Sequence, residues 1–323
     1  MSIADMSAVP RAGGVVTFGE TMGLFVSADP GPLVHAGTVH LGIGGAESNV
    51  AIALQRLGVS TTWLGRRGND SVGDLVEREL RAEGLDVFAI RDSAQTGLMI
   101  KERRTSSVSR IWYYRAGSAG SRLAPGDIPE GLIERSALLH ITGITPALSE
   151  TARDATFEAV SRANTAGVPV SFDINFRSRL WSQDDARETL VALAAASDVV
   201  FAGDEEARII VDGTGEVELA HAIRKLGPRQ VLIKLGARGC FAVIDDEEFA
   251  FAAVPANVVD TVGAGDAFVA GYLAELLAGR EPRSRLVTAV RSGAFACETA
   301  GDWEGMPFRE ELALLGASEP VVR

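Results

Sequence analysis

Between Leu138 and Lys234 the chain alternates short apolar runs with longer amphipathic ones, and this alternation constrains the fold more than any other feature. Leu138–Thr142, Val168–Phe172, Val199–Phe201 and Gln230–Lys234 are too short for helices and nearly continuous in apolar residues. Strands of a parallel sheet read this way because both of their faces are covered. Helical patterns lie between them, near Thr151–Ala166, Asp184–Ala195 and Val217–Leu226. Earlier in the chain, strands are expected at Val15–Phe18, Thr61–Gly65 and Val87–Arg91, with helices from Gly45 to Gly58 and over Ser71–Glu83. Later, Cys240–Ile244 and Phe249–Ala252 read as an antiparallel pair, followed by helices after Asp266 and near Arg283–Thr299. The fold class predicted is α/β, a doubly wound sheet.

Two stretches break the pattern. Thr21–Leu41 is punctuated by glycine and proline, with small apolar bursts between. Thr96–Tyr114 has hairpin texture: Gly97 to Glu102, a polar Thr105-Ser106-Ser107 turn, then Arg110-Ile111-Trp112-Tyr113-Tyr114. Together they predict one small β unit inserted at about 21–43 and 96–116 of a domain running from residue 15 to 323. Met1–Gly14 is small and polar, lacks an apolar run suited to a signal peptide, and is expected to be a flexible tail.

Charge narrows the partners. A net charge of −12 argues against nucleic acid and against an anionic membrane surface, since both need a basic face. A small anionic substrate needs only local arginines. The cysteines, Cys240 and Cys297, sit in apolar surroundings, which fits a reducing cytoplasm. None of His35, His40, His140 and His221 has metal-ligand spacing to another His or Cys.

The chemistry concentrates at Asp260-Thr261-Val262-Gly263-Ala264-Gly265-Asp266. Phe268, Tyr272 and Leu276 then follow at helical spacing. Glycines at 263 and 265 let the backbone approach a ligand, and the first N–H groups of the helix form an anion site. A carboxylate inside a phosphate cradle repels phosphate, so Asp266 needs another task, namely accepting a proton from a hydroxyl. Taken alone, the motif also suits a tight turn with a capping acid.

Other polar stretches stand at element ends. Gly44-Gly45-Ala46-Glu47-Ser48-Asn49 opens a helix with an amide that both donates and accepts. Tyr113-Tyr114-Arg115 closes the β insert, and Asp173-Ile174-Asn175-Phe176-Arg177 follows a strand, where ligands of open sheets bind. Gly203-Asp204-Glu205-Glu206 could order Mg²⁺ through water or cap the next helix. Leu235-Gly236-Ala237-Arg238-Gly239-Cys240 is a glycine-rich turn able to hold a nucleotide.

Together these segments resemble the ribokinase-like, or PfkB, family of carbohydrate kinases, from Val15 to about Phe308. Both family signatures are present in order, Gly44-Gly45 with Asn49 and Leu57-Gly58 near the start, and Asp260 to Asp266 near the end. Tyr113 to Ala119, Gly143 to Leu148 and Asp173 to Arg177 look like the 2-keto-3-deoxygluconate kinases of that family. The resemblance implies a three-layer α/β/α fold with a β-sheet lid that serves as a dimer clasp, and hence a homodimer or higher homo-oligomer. It implies that Asp266 is the base and that Gly263, Ala264 and Gly265 form the anion hole. Gly45, Asn49, Tyr113, Arg115, Arg177, Asp266 and Asp302 match sugar contacts, and Leu235 to Cys240 with Gly263 to Asp266 match the ATP site. ATP and Mg²⁺ are implied, Glu206 is a candidate to hold the metal through water, and K⁺ is raised as a further cofactor. Met99 stands where close relatives tend to carry tyrosine, Gly203 where the family has Asn or Ser, and Val290 where an Asn is common.

The expected activity is phosphorylation of a primary hydroxyl of a sugar acid, 2-keto-3-deoxygluconate first. Arg115 and Arg177 are expected to hold its carboxylate. The alternative is a kinase for a neutral sugar or a nucleoside, and a remote one is a non-catalytic sugar sensor.

Overall fold

The computed structural model describes residues 13–105 and 108–315. The expected tail therefore lies, up to residue 12, outside the described residues, as do Ser106 and Ser107 of the expected hairpin turn.

The main sheet has nine strands. They are β1 (Val15–Phe18), β4 (Thr61–Gly68), β5 (Asp86–Asp92), β8 (Leu138–Thr142), β9 (Val170–Asp173), β10 (Val199–Gly203), β11 (Gln230–Lys234), β12 (Cys240–Ile244) and β13 (Glu247–Phe251). Their order is β13-β12-β11-β10-β9-β8-β1-β4-β5, with every pairing parallel except β11–β12 and β12–β13, because β12 alone runs against the rest. The order reverses between β1 and β8: from β1 the chain builds outward to β4 and β5, then returns to build the other half. Ligands of open α/β sheets bind at such a switch, beyond the carboxyl ends of the strands.

The alternating direction of side chains along each strand divides the core in two. Val15, Leu138, Val199 and Leu232 face one way, against the helices α1 (Ala46–Arg56), α2 (Ser71–Ala82), α8 (Ala264–Leu277) and α9 (Pro282–Ala296). Their chain neighbours Val16, Leu139, Val200 and Val231 face the other way. There they meet α4 (Glu150–Ala166), α5 (Gln183–Ala195), α6 (Asp204–Ile210) and α7 (Glu216–Arg224). The layers are thus helices, sheet, helices. A short helix, α3 (Thr145–Leu148), follows β8.

The interruptions in the sequence pattern form a second, four-stranded sheet. Its strands are β2 (Met22–Ser27), β3 (Val39–Gly44), β6 (Leu98–Arg103) and β7 (Ser109–Tyr114), in the order β3-β2-β6-β7. Two departures from the sequence reading bear on the site. β9 begins at Val170 and takes in Asp173 as its last residue. The acids after β10 open a helix that the sequence reading did not place: Asp204–Ile210, with Gly203 as its N-cap.

Candidate active site

Helix α8 begins at the cradle. Gly263 caps it with a φ of +77°, and a Cβ there would lie 2.0 Å from the carbonyl oxygen of Asp302. No side chain fits that position, so glycine is required by both conformation and space. Ala264, Gly265 and Asp266 form the first turn, with N–H groups that have no partner inside the helix. Beyond them α8 is almost wholly buried, with Phe268 and Tyr272 packed edge-on against Phe201 of β10. The cradle therefore stands on a rigid element.

Asn49, in the first turn of α1, donates from Nδ2 to Asp266 Oδ2 at 2.8 Å. Its own Oδ1 is buried and has no partner among the described residues. An amide oxygen left in that state costs free energy that a ligand hydroxyl could recover. Gly45 caps the same helix, and a Cβ there would meet the carbonyl of Glu20 at 2.4 Å.

Asp266 is half-buried, closely surrounded by protein. Desolvation raises its carboxyl to about 7, Asp173 adds to the rise, and Asn49, Lys234 and Arg177 pull against it. Lys234, the last residue of β11, sits between these acids. Its Nζ donates to both oxygens of Asp173, at 2.8 and 2.7 Å, and lies 3.7 Å from where a Cβ of Gly265 would be. Burial works to depress the ammonium, but Asp173 and Glu206 more than offset it, and its affinity for the proton is raised. Sequence reasoning passed over Lys234 because it closes an apolar run. The available signal was its place at the carboxyl end of a central strand.

The arginines differ. Arg115 donates from Nε to Glu20 at 2.6 Å, and Glu20 is fully buried and also accepts from Ser118 Oγ. Its charge is already matched, which was not expected from sequence. Arg177 follows β9, is exposed, and has no acidic partner among the described residues. Asn175, two residues earlier, holds a φ of +39°, a conformation Asn tolerates better than most residues, and turns the chain there. Arg177, Arg115 and Tyr113 line a cavity of about 770 Å³ between the small sheet and the loops after β8 and β9. That volume suits a small-molecule site. Tyr113 reaches it from β7, its ring 5.8 Å from the Arg115 guanidinium carbon.

Asp302 lies beside the end of β3, where a Cβ on Gly44 would come within 2.4 Å of its Oδ2. Burial raises its carboxyl to about 7, while Lys101 pulls it down. Met99 is buried beside Gly44 in a cluster with Met22 and Leu24. Val290 is buried on α9.

The turn after β11 is a single helical turn, Gly236–Arg238, closed by Leu235 N–H to the Gly239 carbonyl at 2.8 Å. Ala237 lies within it, and Arg238 pairs with Asp204 at 3.3 Å and Glu216 at 3.5 Å. Cys240 brings no side chain to this turn: its thiol is buried, and burial pushes it up to about 12. Glu206 caps α6, with Oε2 accepting from Gly203 N–H at 2.7 Å and Oε1 from Phe176 N–H at 3.1 Å. Among the described residues no three His, Cys, Asp or Glu side chains are grouped to hold a metal. None of the helices among the described residues is long and apolar enough to cross a membrane.

The profile of the pfkB family carbohydrate kinase matches residues 13–309. A 2-dehydro-3-deoxygluconokinase of Bacillus subtilis (strain 168) is 36% identical over 312 residues, spanning 95% of this chain and 96% of the relative. A 2-dehydro-3-deoxygalactonokinase of Haloferax volcanii is 32% identical over 294 residues, spanning 89% and 92%. The crystal structure of a PfkB protein from Polaromonas sp. JS666 superposes with a TM-score of 0.86 at 36% identity, over 94% of this chain and 99% of that one.

Proposed function

We propose that this chain, which belongs to the pfkB family of carbohydrate kinases, moves the γ-phosphoryl group of MgATP onto the primary hydroxyl of 2-keto-3-deoxygluconate. The observation that carries the substrate is the contrast between the two arginines: Arg177 faces the cavity and forms no ion pair among the described residues, while Glu20 already occupies Arg115. A guanidinium left unmatched in a small-molecule cavity suits a carboxylate. The two enzymes named above act, by name, on 2-dehydro-3-deoxy sugar acids, the same class of compound.

In this reading Arg177 holds the carboxylate, Tyr113 covers the sugar, and Asn49 Oδ1 takes a hydroxyl proton in a hydrogen bond. Asp266 accepts the proton of the attacking hydroxyl. The N–H groups of Gly263 to Asp266, with the Lys234 ammonium, meet charge developing on the transferring group. The turn at Leu235 to Gly239 holds the nucleotide through its backbone. Mg²⁺ would neutralise the phosphates and keep most of its waters, a habit that suits a site without a dedicated protein cage. Glu206 remains the candidate to reach it through water. Initial rates of ADP release with MgATP over a panel of sugar acids and neutral ketoses test the reading. The keto-deoxy acids should give the highest kcat/KM, and an equal or better neutral ketose would sink it.

The small sheet also suits assembly as a homodimer or higher homo-oligomer. Register places Leu41, Phe25, Ile100 and Trp112 in one row across its four strands. Leu41 is 54% and Trp112 36% exposed, on the face away from Met22, Leu24 and Met99. An apolar row on a sheet with open edges invites a second copy. Light scattering at micromolar concentration should give at least a dimer, and Leu41→Glu with Trp112→Glu should give a monomer. A monomeric parent protein would end the idea.

A further inference from the structure

Lys101 is an unusual residue for the small sheet. It lies on β6, one of the two inner strands, paired with Val26 on one side and Ile111 on the other. It is 2% exposed. A lysine this buried is held by its partners, and these partners belong to the other sheet's half of the site. Its Nζ donates to Asp260 Oδ2 and stands 4.0 Å from Asp302 Oδ1. Among the described residues no other cationic side chain is ion-paired with either acid.

Both acids are built into the cradle. Asp260 opens the loop that ends at Gly263. Its Oδ1 accepts from Val262 N–H at 3.2 Å, its Oδ2 accepts from Gly301 N–H at 3.4 Å, and its own N–H is tied to the Cys297 carbonyl. Asp302 presses its backbone carbonyl against Gly263, on the side a Cβ would occupy. The Asp260 carboxylate thus braces the loop that carries the N–H groups meant to receive a phosphoryl group, Asp302 braces Gly263 through its backbone carbonyl, and Lys101 is within reach of both acids. The cation that offsets them comes from a different element, the lid, and would leave with it. A cradle with Lys101 withdrawn has the same N–H groups beside uncompensated negative charge.

We infer that Lys101 is a positioning residue which makes the anion cradle competent only while the four-stranded sheet is seated on the main domain. It acts through Asp260 and Asp302 rather than on the phosphoryl group itself. Sugar bound under the lid would therefore assemble the cradle, and an empty site would leave it poorly suited to phosphate. The inference rests on the cradle assignment given under the proposed function and adds a coupling to it.

The test compares Lys101→Met, Lys101→Arg and Lys101→Ala with Asp266→Asn, all in the full chain. Lys101→Met keeps length and apolar contact but removes the charge. It should lower kcat ~10–100-fold, the value of a charge-assisted contact. The Kd for ATP measured without sugar should stay within a few-fold, because that state does not use the latch. Lys101→Arg should recover most of kcat. In Lys101→Ala, ethylammonium chloride should restore part of the rate and tetramethylammonium chloride should not, which a purely structural role would not produce. Thermal melts of each variant confirm that folded enzyme is compared. A Lys101→Met enzyme turning over within twofold of the parent, beside an inactive Asp266→Asn, overturns the coupling and leaves the kinase site standing. If Asp266→Asn turns over as well, the cradle assignment itself has failed.

Discussion

The 2.8 Å hydrogen bond from Asn49 Nδ2 to Asp266 Oδ2 joins the first turns of α1 and α8, 217 residues apart in the chain. It places the helix of the first signature and the helix of the second on one carboxylate. It also stabilises the charged form of Asp266 against burial, which raises that carboxyl to about 7. In the proposed role of base, a carboxyl with such a value is protonated and idle below pH 7 and ready above it. The kcat/KM of the enzyme should therefore rise with pH through about 7. Asn49→Ala removes a group that lowers the value, so this acidic limb should move to higher pH. A limb that stays in place when kcat/KM is profiled from pH 5 to 9 would separate Asn49 from the base.

Asp266→Asn should trade activity for stability. General-base catalysis is worth ~10²–10⁴ in rate, and kcat should fall by at least the lower figure. The stability sign follows from the raised value. Such a carboxyl binds its proton more tightly folded than unfolded, so its contribution is present below the unfolded value near 3.8 and lost as pH rises through about 7. At pH 8 the parent carries a partly desolvated charge that asparagine lacks. The variant should then be more stable than the parent, and the advantage should shrink toward pH 4. Urea melts at the two pH values check this, and a variant less stable at pH 8 would contradict it.

Lys234 is held by both oxygens of Asp173 while its Nζ faces Gly265. Removing the ammonium without shortening the chain, as in Lys234→Met, leaves Asp173 and Asp266 without the cation between them. The rate should fall ~10-fold or more, and the acidic limb should move up because a group that lowers Asp266 is gone. Both shifts together identify Lys234 with the reacting centre, and an unchanged limb would place it outside.

What the sequence made legible follows from local physics. Short apolar runs revealed the parallel strands because each had both faces to bury, and Leu138–Thr142, Gln230–Lys234 and Cys240–Ile244 have the bounds read from them. Gly263 and Asp266 were legible because a left-handed cap and a helix start leave marks within seven residues. Contacts made by distant segments left none. Glu20 and Arg115 are 95 positions apart, and Lys101 and Asp260 are 159 apart. α6 escaped for a different reason: with seven residues it is too short to show periodicity, and its acids read equally as strand-end ligands.

The two arginines expected to grip a carboxylate should behave differently. Arg177 is exposed, lines the cavity and has no acidic partner among the described residues. Arg177→Ala should cost ~10–100-fold in kcat/KM on 2-keto-3-deoxygluconate, mostly through KM, and only a few-fold on any neutral ketose. Arg115→Ala strands Glu20, a carboxylate with no exposure, beside a single serine hydroxyl. Breaking a buried pair from one side costs about 3–5 kcal/mol, because the remaining charge keeps its desolvation cost. Its first effect should be a lower melting temperature, with activity lost on acid and neutral sugars alike. Arg115→Ala with Glu20→Gln removes both charges and should recover stability and, with it, activity on acid and neutral sugars alike. Should Arg177→Ala instead fall equally on acids and ketoses while melting normally, the guanidinium serves the nucleotide, and the carboxylate must be held elsewhere.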